Sequence, residues 1–237
     1  MGYTTTGMRH SSSHSDLAPW VVEHIPWFRG QLLAWFKLNK RTFPWREGNR
    51  SAYEILVAEI LLQHTPAERV TPIYSTFLMR YPSWTSLAQA PLEDLQNLIK
   101  SLGLWRQKAI VFQQLSHELE NSRGSFPASR DELERLRGVG QYTASAVLTV
   151  VYGKDEPLID VNMARVLERF FGIQKFTNIY NDPTLYTLSY QVVHGENGLQ
   201  INWAVLDFSA IVCKRRRPLC RECPLKTKCQ FFINTGG

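Results

Sequence analysis

The sequence predicts an all-α fold. Apolar residues recur at helical rather than alternating spacing, capping residues and glycines bracket those stretches, and short Pro- or Gly-marked loops separate them. From Leu17 onward there is little β-type alternation. Tyr53, Leu56, Val57, Ile60 and Leu61 recur at offsets of 3, 4, 7 and 8, the stripe of an amphipathic helix. Ser129-Arg130-Asp131-Glu132 reads as a capping box opening a helix through Leu133 and Leu136 that stops at Gly138. Met163, Val166, Leu167, Phe170 and Phe171 give another stripe, ended by Gly172. Pro66, Pro82, Pro91, Gly103 and Gly124 mark the loops. At typical helix lengths the chain holds roughly ten helices. Residues 1–16 are polar and Ser/Thr-rich and read as a flexible tail.

Composition narrows the partners. The 237 residues allow one large domain or two small ones, and 44% hydrophobic with 20% charged residues indicates a globular chain. No apolar run approaches the roughly 20 residues that span a bilayer. The N-terminus lacks the apolar core of a secretory signal, so an intracellular, reducing location is expected. The pI near 9.2 favours nucleic acid or another anionic partner. Nothing suggests a coiled coil, so a monomer is expected.

All four cysteines lie in one segment: Cys213, Cys220, Cys223 and Cys229, spaced C-x6-C-x2-C-x5-C. Between them fall Lys214, Arg215, Arg216, Arg217, Arg221, Lys226 and Lys228 against Glu222, a net +6 equal to that of the whole chain. Four thiolates suit zinc or a cubane iron–sulfur cluster. Structural zinc sites favour gaps of about two to four residues within each half. The wider gaps fit a multi-atom cluster better, with zinc second and disulfides a distant third for want of an oxidising compartment.

Two further features carry chemistry. Leu136–Ala144 holds Gly138-Val139-Gly140, a turn between two helices whose following amides suit a phosphate. On its own, this is an ordinary helix–turn–helix connection. Downstream, Leu158-Ile159-Asp160-Val161-Asn162 places Asp160 just before the Met163 stripe. On its own, Asp160 reads first as an N-cap.

Together, Gly-Val-Gly, the downstream Asp and the cysteine spacing resemble the helix-hairpin-helix DNA glycosylases of the endonuclease III superfamily, from about Arg41 to Cys229. The resemblance implies a [4Fe–4S] cluster on the four cysteines and two helical domains with a DNA-binding cleft between them. One is a six-helix barrel over 45–153 with its hairpin at 136–144. The other, a cluster domain, combines 17–44 with 154–237. By the same resemblance Asp160 stabilises a sugar cation at C1′ after the base leaves. Tyr142 stands where lyase members carry a lysine, which implies hydrolysis without strand cleavage; otherwise it reads as a core aromatic. Glu59, amid apolar neighbours, reads by itself as a residue on the solvent side of its helix. The resemblance makes it the acid that protonates the departing base. The base must first leave the stack. By the resemblance, Gln63 and His64, and Leu104 with Trp105, match two loops that fill the gap; read by themselves, Trp105 is equally a core aromatic and His64 an ordinary surface histidine. Asn162 orients the Asp160 carboxylate or a nearby phosphate. Gly138, Val139, Gly140 and the basic run Lys214, Arg215, Arg216 and Arg217 meet duplex DNA. Phe43-Pro44-Trp45-Arg46 is also family-like, with its Trp read as structural.

Two branches share Glu59, Tyr142 and Asp160: one removes thymine or uracil opposite guanine, the other adenine opposite 8-oxoguanine or guanine. Adenine members usually read Asp-Gly-Asn at the catalytic site and carry a further C-terminal domain. Here the motif is Asp160-Val161-Asn162, and the chain ends eight residues after Cys229. The run Asp207-Phe208-Ser209-Ala210 also resembles the thymine-mismatch branch. Thymine or uracil excision is therefore expected, with adenine excision second. A non-catalytic DNA-binding iron–sulfur protein is the distant alternative.

Overall fold

The computed structural model describes residues 17–121, 126–173, 176 and 178–236. The tail at 1–16 and Gly124 lie outside the described residues. Among those described there are twelve α-helices and no strand. No described helix is long and apolar enough to cross a membrane.

Two hydrophobic cores organise the chain. The first is built by α2 (Ala52–Leu62), α3 (Ala67–Arg80), α4 (Trp84–Ala88), α5 (Leu92–Ile99), α6 (Trp105–Asn121), α7 (Arg130–Arg135) and α8 (Gln141–Val150). At its centre lie Leu56, Ile60, Phe77, Phe112 and Val147. The second joins α1 (Pro19–Asn39) to α9 (Val161–Phe171), α10 (Pro183–Val193) and α11 (Gly198–Ile211). Phe28 packs its ring 4.7 Å from Phe170 and 5.4 Å from Phe171. Each such fully buried ring contributes about 1.5–3 kcal/mol. From Leu17 the chain thus runs in the second core, crosses to the first, and returns through Leu158–Asp160. The short α12 (Gln230–Thr235) closes the chain against α9.

Two helices decide where the chemistry sits. In α2, Tyr53, Ile55, Leu56, Val57, Ala58, Ile60 and Leu61 are all buried, so neighbours surround it on nearly every side. Ser51 and Glu54 close a capping box at its start. Helix α9 begins at Asp160, whose side chain accepts from the Asn162 and Met163 amides, and ends at Gly172 in the left-handed conformation at φ 63°. A side chain on Gly172 would also strike Gln230. Helix α7 is shorter than the capping box suggests. It ends at Arg135, because Leu136 turns extended and delivers Val139 into the first core.

Candidate active site

The seam between the two cores encloses a cavity of about 820 Å³, within the range of a pocket for a drug-sized or nucleotide-sized ligand. Glu59 reaches it from α2, Tyr142 from the first turn of α8, and Asp160 and Asn162 from the start of α9. The three side chains that the resemblance assigns to chemistry therefore share one cavity, although 101 residues separate the outer two.

Each is tuned by its surroundings. Helix α2 offers almost no solvent face, so Glu59 points into the cavity rather than into open water. Burial pushes its carboxyl up to about 7, and the Arg46 charge pulls back only part of that. Burial also raises the Tyr142 phenol well above its usual range, reinforced by the Glu59 and Asp160 carboxylates. For Asp160, burial raises the carboxyl against the opposing pull of its hydrogen bonds. Its Oδ1 accepts from Asn162 N at 2.9 Å and Met163 N at 2.8 Å, and its Oδ2 from Asn162 Nδ2 at 2.6 Å. Asn162 Oδ1 in turn accepts from Arg165 at 3.1 Å, and Arg165 donates to the Cys213 carbonyl at 3.0 Å. Asn162 thus grips both oxygens of the Asp160 carboxylate.

The hairpin has the form its sequence suggests. Gly138 has φ 79°, and a Cβ there would strike Val111. Gly140 is free of neighbours and leaves the start of α8 uncapped by any side chain. Gly138 and Gly140 are exposed, whereas the Val139 side chain is buried and offers only backbone to a ligand. Arg130 braces the hairpin by bonding Glu134, Ser145 and Glu156. Gln63 and His64 line the cavity, and Gln63 Nε2 donates to Gly138 O at 3.2 Å. Leu104 and Trp105 are not among the residues lining it. Leu104 is exposed, while Trp105 packs against the first core under the Arg106 guanidinium.

Sequence reasoning named Asp207 and Arg46 only within family-like runs and missed that they form a buried ion pair at the cavity wall. Asp207, on α11, is fully buried and binds two arginines. Arg46 places one nitrogen 3.0 Å from each carboxylate oxygen, and Arg41 donates through its backbone N and Nε at 2.9 Å. The Arg46 guanidinium lies between the faces of Phe43 and Trp203. A carboxylate amid Trp203, Ala204, Val205, Leu206 and Phe208 is the same signal that singled out Glu59, and it could have found Asp207. Replacing Asp207 by Ala strands a buried guanidinium. Thermal unfolding is expected to show a loss of about 3–5 kcal/mol.

The four cysteines line a second cavity, walled by Val166, Phe170, Phe208, Val212 and Leu225. No disulfide joins any of them. Among the described residues no three His, Cys, Asp or Glu side chains are arranged around a point for a single ion. The four thiols share the cavity lining with its apolar walls. Four thiols are the donor type that suits zinc or an iron–sulfur cluster. Lys214, Arg215, Arg216 and Arg217 are exposed on the adjoining loop, which Arg169 grips through the Lys214 carbonyl at 2.8 Å and the Arg215 carbonyl at 3.2 Å.

Residues 57–181 match the family model described as HhH-GPD superfamily base excision DNA repair protein. The chain belongs to this superfamily. It is 38% identical to a thymine/uracil-DNA glycosylase of Pyrobaculum aerophilum over 224 residues, 92% of this chain and 96% of that one. A human adenine DNA glycosylase is 31% identical over 88% of this chain and 40% of its own length. The solved structure of a thermostable thymine-DNA glycosylase superposes with a TM-score of 0.84 at 32% identity, covering 90% of this HhH-GPD chain and 98% of that one.

Proposed function

We propose that the chain is a monofunctional DNA glycosylase that extrudes thymine or uracil mispaired with guanine, hydrolyses the N-glycosidic bond and leaves an abasic site. One observation carries this reading: Glu59, Tyr142 and Asp160 line one cavity of nucleotide size. Glu59, partly protonated near neutrality, donates to the departing base. Asp160, desolvated and held by three hydrogen bonds, opposes the positive charge that develops on the sugar. Tyr142 offers no amine for a Schiff base, so the strand stays intact.

In this reading 45–153 forms a barrel domain and 17–44 with 154–237 a second domain, with duplex DNA across the seam and the protein acting as a monomer. The presence of two cores supports the division, although Phe43 packs in the first. Cys213, Cys220, Cys223 and Cys229 would hold a [4Fe–4S] cluster. When bound, it would supply a rigid cross-link for the basic loop. Gly138, Gly140 and the uncapped amides of α8 would take a phosphate, and Lys214 to Arg217 further ones. Changing Arg215, Arg216 and Arg217 to Ala is expected to lower affinity for every duplex alike and to flatten the slope of log affinity against log salt by up to about 3. Titrations at several salt concentrations measure this, and a loss confined to one mismatch contradicts it.

The deciding experiment is single-turnover excision on G·T, G·U and 8-oxoguanine·A duplexes, each with and without alkali. Product from G·T or G·U after alkali alone is expected. Product from 8-oxoguanine·A alone favours the adenine reading, which the human relative supports. Nicks without alkali refute the role given to Tyr142, and no product anywhere leaves a DNA-binding protein.

A further inference from the structure

Two loops beside the cavity carry backbone that their residues disfavour. His64, between α2 and α3, has φ 51°, and Leu104, at the start of α6, has φ 54°. A leucine in the left-handed region persists only where its surroundings hold it there, and such positions gather at functional sites. Both side chains are exposed.

The loops are fastened to each other. Gly103 N donates to Thr65 Oγ1 at 3.0 Å, and a Cβ on Gly103 would lie 2.5 Å from the His64 carbonyl oxygen. Beneath the join is Lys108, on α6, only 1% exposed. Its Nζ donates to Thr65 Oγ1 at 2.8 Å and to the Leu61 carbonyl, in the last turn of α2, at 2.7 Å. The Thr65 hydroxyl donates onward to the Gln63 carbonyl. No salt bridge among the described residues includes Lys108. A buried cation without a carboxylate costs stability that an apolar residue of the same volume would not. Its side-chain bonds go to Thr65 in the first loop and to the end of α2, while Thr65 in turn accepts from Gly103 in the second loop, which leads directly into α6.

We propose that Lys108 is a positioning residue. With Thr65 it bolts the loops at 63–65 and 101–104 into one rigid prong, so that His64 and Leu104 enter the duplex together as the base leaves. This deepens the glycosylase reading and rests on it. Glu59 lies within one helical turn of the Lys108-bound end of α2, so the bolt fixes the prong relative to the carboxyl that serves the extruded base.

The test uses Lys108→Met and Thr65→Val, with Thr65→Ser restoring the hydroxyl, on two substrates: uracil paired with guanine, and uracil in a one-nucleotide bulge. A 2-aminopurine beside the uracil reports extrusion by stopped-flow fluorescence. On the G·U duplex, extrusion and single-turnover excision are expected to fall by about tenfold or more, with duplex affinity unchanged. On the bulge, where no pair must be opened, excision stays near the wild-type rate. Thr65→Ser behaves as wild type on both. Equal losses on both substrates, or no loss on G·U, overturn the proposal. Thr65→Val decides between these outcomes should Lys108→Met fail to fold. A wild type that excises nothing from either substrate sinks the glycosylase reading itself, a result separable from a defect confined to the variants.

Discussion

Asp160→Asn is expected to bind a G·T or G·U duplex like the wild type and to release almost no base. The substitution separates the two tasks of this side chain. Asn is about as good an N-cap as Asp, so the bonds from the Asn162 and Met163 amides to Oδ1 survive. The remaining bond does not, because Asn162 Nδ2 would face another NH₂. Asn162 then turns its amide and gives up its contact with Arg165, which keeps the Cys213 and Ser209 carbonyls. The stability change from this repacking stays near 1 kcal/mol. The chemical change is far larger. A cation forming at C1′ meets a neutral amide in place of a desolvated carboxylate, and preorganised charge of this kind is worth on the order of 10³ in rate. Single-turnover excision and gel shift on the same duplex, with a melting curve, separate the two effects. Normal turnover in this variant removes Asp160 from the mechanism.

How much of this was legible depends on how local each feature is. Helix α9 could be read from end to end. Its N-cap, its apolar stripe and the left-handed glycine that stops it all act within one turn of the residues that cause them. The hairpin was equally readable, except that α7 ends three residues before Gly138, because Val139 is drawn into the first core. Helices α4 and α12, with five and six residues, are too short to leave a period, so twelve helices stand among the described residues where about ten were expected.

The surroundings of Glu59 were not legible. A five-residue stripe on α2 leaves room for a polar face, whereas the folded helix has hardly any. Burial of Ile55 and Ala58 depends on packing partners far along the chain. The Arg46–Asp207 pair spans 161 residues, and no periodicity connects two such positions. The Lys108–Thr65 bond spans 43, and nothing in the α6 pattern marks that lysine as one turned inward. The cysteine spacing could be read because four ligands in one short segment must meet wherever the rest of the chain goes.

The raised carboxyl of Glu59 gives an expectation in which substituting it moves activity and stability at high pH in opposite directions. Its acid form is present below about 7 and is lost above it. Single-turnover excision should therefore hold at lower pH and fall about tenfold per pH unit above that point. Glu59→Gln should erase this limb and leave a residual rate lower by about 10²–10⁴. The stability effect follows from the same shift. Folding raises this carboxyl from its ordinary 4.5, so the folded protein retains a proton that the unfolded chain releases between about 4.5 and 7. Wild-type stability contributed by this group is complete below 4.5 and is lost as the pH rises through 7. Glutamine has no proton to lose. At pH 4.5 the two proteins should melt alike. At pH 8 the variant should be more stable by on the order of 1 kcal/mol, since water at the cavity mouth screens part of the burial, or about 2–4 °C in Tm. Melting curves at the two pH values, beside excision rates across the range, measure both. A variant no more stable than wild type at pH 8 would mean that Glu59 ionises without penalty, and a carboxyl that ionises freely has no proton to offer the leaving base at neutral pH.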